Sequence, residues 1–167
     1  MSLLFARVSM TSQLIDSAEK TFRKGASVNA YLILKKDDEI LLNLRKNTGY
    51  CDGFWSLIAG HVEDGESATA AIIREAEEEI GIYIREENLQ VVHVMHRQTN
   101  RYNIDIFFKC RAWEGELRNQ EPEKCEALSF FSVTKLPENI IDYNIDVLKA
   151  VAQKEFYSER GWHEPIP

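Results

Sequence analysis

The chain has 167 residues, of which 44% are hydrophobic and 28% charged, a composition typical of a soluble globular protein that forms one domain. The formal net charge of −7 disfavours DNA or RNA as a partner, because a polyanion would be repelled. No apolar run is long enough to span a membrane, so no membrane partner is expected. Cys51, Cys110 and Cys125 have neither disulfide-framework nor zinc-motif spacing, and a cytoplasmic location is therefore expected.

Residues 1–25 are interpreted as an N-terminal extension, apolar over 3–10 and weakly helical in character over 11–23. An apolar face in this segment would support a homodimer. The folded domain is predicted over residues 26–157, followed by a C-terminal tail over 158–167. The stretch from Tyr157 onward is expected to be irregular.

The first half of the domain is predicted to contain strands over 28–34 and 40–45, joined by a polar hairpin loop. A turn-rich loop over 46–53 leads into a short strand over 54–59. Tyr50 and Trp55, in and after this loop, could stack on a base, although aromatic side chains more often belong to the core.

Further strands are predicted over 89–96 and 102–113. Within the second, Ile104, Ile106 and Phe108 alternate with Asn103, Asp105 and Phe107, which is the period of a half-buried strand. A loop over 117–126, a last strand over 127–133 and an amphipathic helix over 140–156 complete the domain. This order of strands, helix, strands and helix predicts an α+β fold in which helices cover a sheet.

The most informative stretch is residues 60–82, whose second half is predicted to be a helix. Ser67 suits the N-cap, residues 68–80 contain neither Pro nor Gly, and Gly81 occupies the expected left-handed C-terminal position. The apolar side chains of this segment fall on one face of the helix, namely Ala68, Ile72, Ile73, Ala76 and Ile80.

Glu75, Glu78 and Glu79 have i, i+3 and i+4 spacing and share a patch beside that apolar face, while Glu77 points to water. Like charges at these spacings repel by a few tenths of a kcal/mol per pair, and carboxylates near a helix C-terminus also oppose the helix dipole. A divalent cation such as Mg²⁺ or Mn²⁺ would replace repulsion by coordination. A solvated acidic face without a ligand is the alternative, because Glu-rich helices are common.

The whole run reads G-x5-E-x7-R-E-U-x-E-E-x-G-U, where U is apolar, with the fixed positions filled by Gly60, Glu66, Arg74, Glu75, Glu78, Glu79 and Gly81. This pattern resembles the signature of the Nudix hydrolase family, and in particular its MutT-like members. The resemblance implies the Nudix fold, an α/β/α sandwich with a mixed β-sheet flanked by helices. It also implies Mg²⁺-dependent hydrolysis, with Mn²⁺ as a substitute, of a nucleoside diphosphate linked to another moiety.

By this resemblance, the metal ligands would be Glu75, Glu78 and Glu79. Arg74 would hold these carboxylates in place, and Glu66 would lie near the metal or hydrogen-bond the helix.

Outside the motif, the resemblance implies that Arg45, at the end of the second strand, contacts substrate phosphate; a surface charge at a strand end is the alternative. Glu121 would be the general base, with Glu123 as the runner-up, because MutT-like members place a glutamate in the corresponding loop. His61 is interpreted as structural rather than as a ligand. In MutT-like members, an Asn near the start of the last helix helps to recognise the purine. Residues 139–144 are the corresponding stretch here, and no single position in it matches that Asn.

The predicted substrate is a small-molecule nucleotide, namely a nucleoside or deoxynucleoside triphosphate hydrolysed to the monophosphate and pyrophosphate. ADP-ribose or another nucleotide sugar is the alternative. A non-catalytic nucleotide-binding module is a second alternative, disfavoured because such modules usually lack some of the motif glutamates, all of which are present here.

Overall fold

The computed structural model describes residues 25–162. In chain order, the strands are β1 (Ala26–Lys36), β2 (Glu39–Arg45), β3 (Trp55–Ser56), β4 (Ile58–His61), β5 (Leu89–Gln98), β6 (Tyr102–Cys110), β7 (Cys125–Ser132) and β8 (Tyr157–Arg160). The α-helices of this range are α1 (Ala68–Ile80) and α2 (Asp142–Ala152), with a 3₁₀ turn at Glu86–Asn88. Neither helix has the length and apolar character needed to cross a bilayer. The predictions for residues 1–24, including a homodimer contact, lie outside the described residues.

The strands form a mixed eight-stranded sheet in the order β3-β2-β1-β6-β5-β8, with β4 paired to β1 and β7 paired to β2. β1 is parallel to β6 and β5 is parallel to β8, whereas the other pairs are antiparallel. The parallel pairing of β1 with β6 brings together two strands that are distant in the chain. As a result, side chains from both halves of the domain meet at the centre of the sheet.

The core is divided by the sheet into two layers. Leu32 and Leu34 of β1 pack with the buried face of α1, whereas Tyr31 and Ile33, which point to the opposite face of the same strand, pack with α2. Each helix therefore covers one side of the sheet. The predicted α/β/α sandwich is confirmed.

The prediction of one strand over 54–59 is wrong in detail. Trp55–Ser56 pairs with β2, whereas Ile58–His61 pairs with β1, and the chain changes partner at the fully buried Leu57. The polar hairpin is also tighter than predicted, because β1 and β2 extend to Lys36 and Glu39 on either side of the turn.

The prediction that β6 is half-buried is wrong as well. Asn103, Asp105 and Phe107 are at most 2% exposed, although they face away from the α1 layer that Ile106 and Phe108 contact. Because helices cover both sides of the sheet, neither face of this central strand is exposed, and its buried side chains include a charged one. β6 also ends at Cys110 rather than at Trp113.

The C-terminal region differs most from the prediction. α2 is shorter than the predicted 140–156, because Ile141 is still extended and donates its backbone N–H to the carbonyl of Trp55. The stretch predicted to be irregular contains β8, so the sheet continues beyond the predicted boundary at 157 as far as Arg160. His93 of β5 attaches this strand, since its ring nitrogens are hydrogen bonded to the Glu155 carbonyl and the Ser158 hydroxyl.

Candidate active site

Helix α1 forms one wall of a cavity of about 980 Å³ at one end of the sheet. The helix begins as predicted, with the Ser67 side chain accepting a hydrogen bond from the Ala70 N–H, and ends at Gly81 in the left-handed conformation. Glu75, Glu78 and Glu79 all line the cavity, whereas Glu77 is exposed and does not. The i, i+3, i+4 spacing therefore places these three carboxylates around one space.

Arg74 is the centre of an ion-pair network that fixes this wall. Its Nη1 donates to Glu75 Oε1 at 2.7 Å and to Glu78 Oε2 at 3.1 Å, and its Nε donates to Glu66 Oε1 at 2.9 Å. Its Nη2 donates to Glu66 Oε2 and to the carbonyl of His61, both at 3.1 Å. One guanidinium thus ties the helix to the preceding loop and to the end of β4.

Glu66 contacts Arg74 and does not face the cavity. Both of its carboxylate oxygens accept from Arg74, and this contact holds the pKa of Glu66 below its usual range. Glu66 does not line the cavity, so the alternative in which it hydrogen-bonds the helix is the one that the geometry supports. The role of Glu66 in the reaction stays a prediction.

Gly60 explains how the Glu75 side chain reaches its place. A Cβ atom at residue 60 would lie 1.9 Å from Glu75 Oε1 and 2.5 Å from its Cγ. The glutamate therefore occupies the space above the backbone of β4 that any other residue would fill. Burial raises the pKa of Glu75, while the hydrogen bond from Arg74 acts in the opposite direction.

Glu79 is the least compensated acid of the site. Its Oε2 is buried and forms no hydrogen bond with any residue in the 25–162 range. Burial is the main cause that raises its pKa to about 8, and the negative charges of Glu75 and Glu121 contribute further. Leaving a buried carboxylate oxygen unpaired costs about 1–3 kcal/mol or more, so this group requires a proton or a cation.

The loop that carries Glu121 is attached to the end of α1. The backbone N–H groups of Arg118 and Gln120 donate to the carbonyls of Ile80 and Glu79, each at 3.0 Å, and so pair acceptors that the helix itself leaves free. Glu121 consequently lies close to the α1 carboxylates.

Glu121, the predicted base, lines the cavity and accepts a hydrogen bond from Lys124 Nζ at 2.7 Å. The runner-up, Glu123, does not line it. The geometry therefore favours Glu121 over Glu123, while the role of general base stays a prediction.

Arg45 lies at the end of β2. Its Nε donates to the Tyr50 carbonyl at 2.8 Å and its Nη2 to Thr48 Oγ1 at 3.0 Å, while the guanidinium lies 5.6 Å from the centre of the Tyr50 ring. Arg45, Thr48 and Tyr50 line the cavity together. Of the two aromatic candidates for base stacking, only Tyr50 does so, because Trp55 packs in the core against Phe131.

A second group of polar residues, in which Asp105 lies behind the cavity lining, was missed by sequence reasoning. Arg97 of β5 and Asp105 of β6 form an ion pair at 2.7 Å, and Asn29 of β1 donates to the other Asp105 oxygen at 2.6 Å. The Tyr143 ring lies 4.4 Å from the Arg97 guanidinium, and its hydroxyl is 3.3 Å from that of Tyr31. The signal was the polar Asn29 and Asp105 within otherwise apolar strands, since a charged residue is rarely buried without a partner.

The polar residues of the stretch 139–144, near the start of α2, differ from one another in their contacts. Asn139 donates to the Gly53 carbonyl, Asp142 is bound by Arg160, and Asn144 is fully buried with its Nδ2 donating to Ser56 Oγ at 3.2 Å. His61, expected to be structural, is exposed at the cavity rim with its Nε2 3.1 Å from an Arg101 nitrogen.

As arranged, no three His, Cys, Asp or Glu side chains of residues 25–162 form a group that could hold a metal ion. The predicted ligand set of Glu75, Glu78 and Glu79 thus shares a cavity without converging, and the reason is that Arg74 draws Glu75 and Glu78 to itself. The donor chemistry nevertheless fits a hard divalent cation, because the set consists of carboxylate oxygens and includes the unpaired, buried Oε2 of Glu79.

Comparisons with known proteins identify the family. The NUDIX domain model matches residues 23–151. The ADP-ribose pyrophosphatase of Methanocaldococcus jannaschii is 35% identical over 112 residues, which are 66% of this chain and 64% of that protein, so the chain spans just under two thirds of this relative. The 8-oxo-dGTP diphosphatase of Proteus vulgaris is 29% identical over 99 residues, 59% of this chain and 88% of that protein.

Among solved structures, the MutT NUDIX hydrolase from Burkholderia pseudomallei has a TM-score of 0.69 and 27% identity, and the match covers 75% of this chain and 98% of that one. The family model covers most of the domain that forms the sheet and both helices. The resemblance indicated by residues 60–82 is therefore confirmed, and the chain belongs to the NUDIX domain family.

Proposed function

We propose that this protein hydrolyses a phosphoanhydride bond of a nucleoside diphosphate linked to another moiety, with a nucleoside or deoxynucleoside triphosphate as the substrate. In this reaction one water molecule and one triphosphate give the nucleoside monophosphate and pyrophosphate. The observation that carries the proposal is the unpaired, buried carboxylate oxygen of Glu79 beside Glu75 and Glu121 in one cavity. An acid left in this state is suited to binding a cation that accompanies a polyphosphate.

Glu75, Glu78 and Glu79 are the residues that would hold Mg²⁺, or Mn²⁺ in its place. When bound, the divalent ion would offset the negative charge that develops on the phosphoryl oxygens during anhydride cleavage. Arg74 would limit the freedom of these carboxylates, since it already contacts Glu75 and Glu78, and Glu66 would hold Arg74.

The remaining cavity residues suit the other tasks of the reaction. Glu121 would accept the proton of the attacking water, and Lys124, 2.7 Å away, would orient it. Arg45 would bind a substrate phosphate, because its guanidinium is held at the cavity wall by Tyr50 and Thr48. A cytoplasmic location and the absence of a nucleic-acid partner remain predictions.

A second candidate is ADP-ribose, or another nucleotide sugar, hydrolysed at its diphosphate. It is favoured by the 35% identity to a protein named ADP-ribose pyrophosphatase. The same carboxylates would serve this reaction, because the bond that breaks is again a phosphoanhydride.

A substrate screen tests both candidates. The purified protein would be incubated with Mg²⁺ and a panel of deoxynucleoside triphosphates, ADP-ribose, dinucleoside polyphosphates and nucleoside diphosphate sugars, with the products separated by chromatography. We expect monophosphate and pyrophosphate from the triphosphates, whereas AMP and ribose 5-phosphate from ADP-ribose alone would favour the second candidate. Tight nucleotide binding without any product would contradict both and identify a non-catalytic binding module.

A further inference from the structure

The cavity contains, at the β5–β6 side, a guanidinium whose position is fixed by protein contacts. Arg97 is 9% exposed, and its Nε donates to Asp105 Oδ2 at 2.7 Å. Asp105 is fully buried, and its other oxygen accepts from Asn29 at 2.6 Å. The ring centre of Tyr143 lies 4.4 Å from the Arg97 guanidinium. A guanidinium held in this way by two neighbouring elements, β6 and α2, loses little further freedom when it binds a ligand.

The terminal nitrogens of Arg97 remain available for a ligand. Within residues 25–162, Nε is the atom of this side chain that forms a hydrogen bond, and Arg97 lines the cavity. Because Asp105 already offsets the charge of Arg97, this end of the cavity does not call for a second anion. A neutral acceptor, such as a carbonyl oxygen, suits these donors better than another phosphate.

Two amide oxygens on the β2–β3 side of the sheet lack donors. Asn43 Oδ1 and Asn144 Oδ1 are buried and form no hydrogen bond with the described part of the chain. Asn43 lines the cavity and pairs in register with Ser56, to whose hydroxyl Asn144 donates. Unpaired buried acceptors cost about 1–3 kcal/mol each, and an N–H group of a ligand in the cavity would satisfy Asn43.

We propose that Arg97 is a specificity-determining residue that donates to a carbonyl oxygen of the substrate heterocycle, while Asn43 accepts an N–H of the same ring. This inference rests on the proposed function, since it assigns the nucleobase of a nucleotide substrate. Guanine at C6 and thymine at C4 carry an oxo group, and these two oxo bases would present that acceptor to Arg97. Adenine and cytosine place an amino donor at the corresponding position, and two donors repel.

The test compares kcat/KM for dGTP and dTTP with that for dATP and dCTP. The unmodified protein is expected to prefer the oxo bases by about tenfold or more, which is the scale of one good Arg–base contact. Arg97→Lys keeps a positive partner for Asp105 but lacks the planar guanidinium with its several N–H donors. The ratio of kcat/KM for the oxo bases to that for the amino bases is therefore expected to fall to about threefold or less. The control Arg85→Lys alters an exposed pair with Glu114 outside the cavity and should keep the preference.

Asn43→Leu provides a second variant that does not disturb the Arg97–Asp105 pair, and it should also reduce the preference for oxo bases. A preference for amino bases, equal rates with all four nucleotides, or an unchanged preference in both variants would overturn the inference. If no triphosphate is hydrolysed, the proposed function fails, and calorimetric binding of dGMP and dAMP decides the inference separately. Tighter binding of dGMP that Arg97→Lys abolishes would support it, whereas equal binding would overturn it.

Discussion

The two ends of the cavity contain buried charges in different states of balance. At the α1 end, Glu79 is buried beside Glu75 and Glu121, and one of its oxygens has no partner among residues 25–162. At the β5–β6 end, the fully buried Asp105 has a partner for each oxygen, in Arg97 and Asn29. An unbalanced acid indicates a cationic ligand, whereas a balanced pair indicates a neutral one. This difference suggests that a substrate would place its charged part, with the cation, at the α1 end and its uncharged part at the β5–β6 end.

The largest effect is expected from removing the unbalanced acid. Glu79→Gln should reduce Mg²⁺-dependent pyrophosphate release to the rate measured without Mg²⁺, because the neutral amide is a poor ligand for a hard cation. Glu77→Gln changes an exposed glutamate of the same helix and is expected to keep the full rate. Equal rates in the two variants would remove Glu79 from the proposed ligand set.

A smaller loss is expected from the loop that faces the helix. Glu121→Gln should lower kcat by about 10²–10⁴-fold with the fold intact, as expected when a general base is lost. Glu123→Gln serves as the matched control, because Glu123 belongs to the same loop but does not line the cavity. Near-normal turnover of Glu121→Gln, with circular dichroism unchanged, would discard the assignment.

Gly60→Ala tests whether the position of Glu75 matters, without altering any charge. The added Cβ would lie 1.9 Å from Glu75 Oε1, so the carboxylate has to move. A displacement of about 1 Å at a reacting site can cost about 10²-fold in rate, and a loss of this order in kcat is expected. Gly25→Ala, where a Cβ meets nothing within 4 Å, should have no effect. Full activity of Gly60→Ala would show that Glu75 tolerates relocation.

The smallest effect concerns stability in the absence of divalent ions. Glu79 has a pKa of about 8 in the folded protein, compared with about 4.3 when unfolded. Between these values the folded state keeps a proton that the unfolded state has lost, so the free energy of unfolding should fall as pH rises, by at most about 1.4 kcal/mol per pH unit.

Urea denaturation in EDTA at pH 6 and pH 8 measures this loss. Glu79→Gln should reduce the difference between the two pH values, whereas Glu77→Gln should retain it. The same pH dependence in both variants would show that Glu79 is not the group responsible.

The sequence predicted the α1 end of the cavity better than the β5–β6 end. The reason is that the residues of the α1 end are close together along the chain, whereas those of the other end are not. Glu75, Glu78 and Glu79 belong to one helix, so helical geometry alone placed them on a common patch, and Ser67 and Gly81 marked where the helix begins and ends. Arg97, Asp105, Asn29 and Tyr143 come from three strands and a helix, and only strand pairing and sheet packing bring them together. No local spacing reveals such a group.

The same reason explains the error at the C-terminus. Residues 157–160 have little apolar character of their own, and they form β8 because β5 offers a free edge and His93 contacts Ser158. Likewise, the burial of Asp105 depends on α2 covering that face of the sheet, which the alternation in β6 does not show.

The most direct test of the central claim is Mn²⁺ binding, measured by electron paramagnetic resonance or calorimetry without nucleotide. The unmodified protein and Glu77→Gln are expected to bind Mn²⁺ with the same affinity, and Glu79→Gln is expected to bind at least about tenfold more weakly because it lacks the anionic ligand. Equal Mn²⁺ affinity in all three proteins would contradict the claim that the α1 carboxylates form a divalent-cation site.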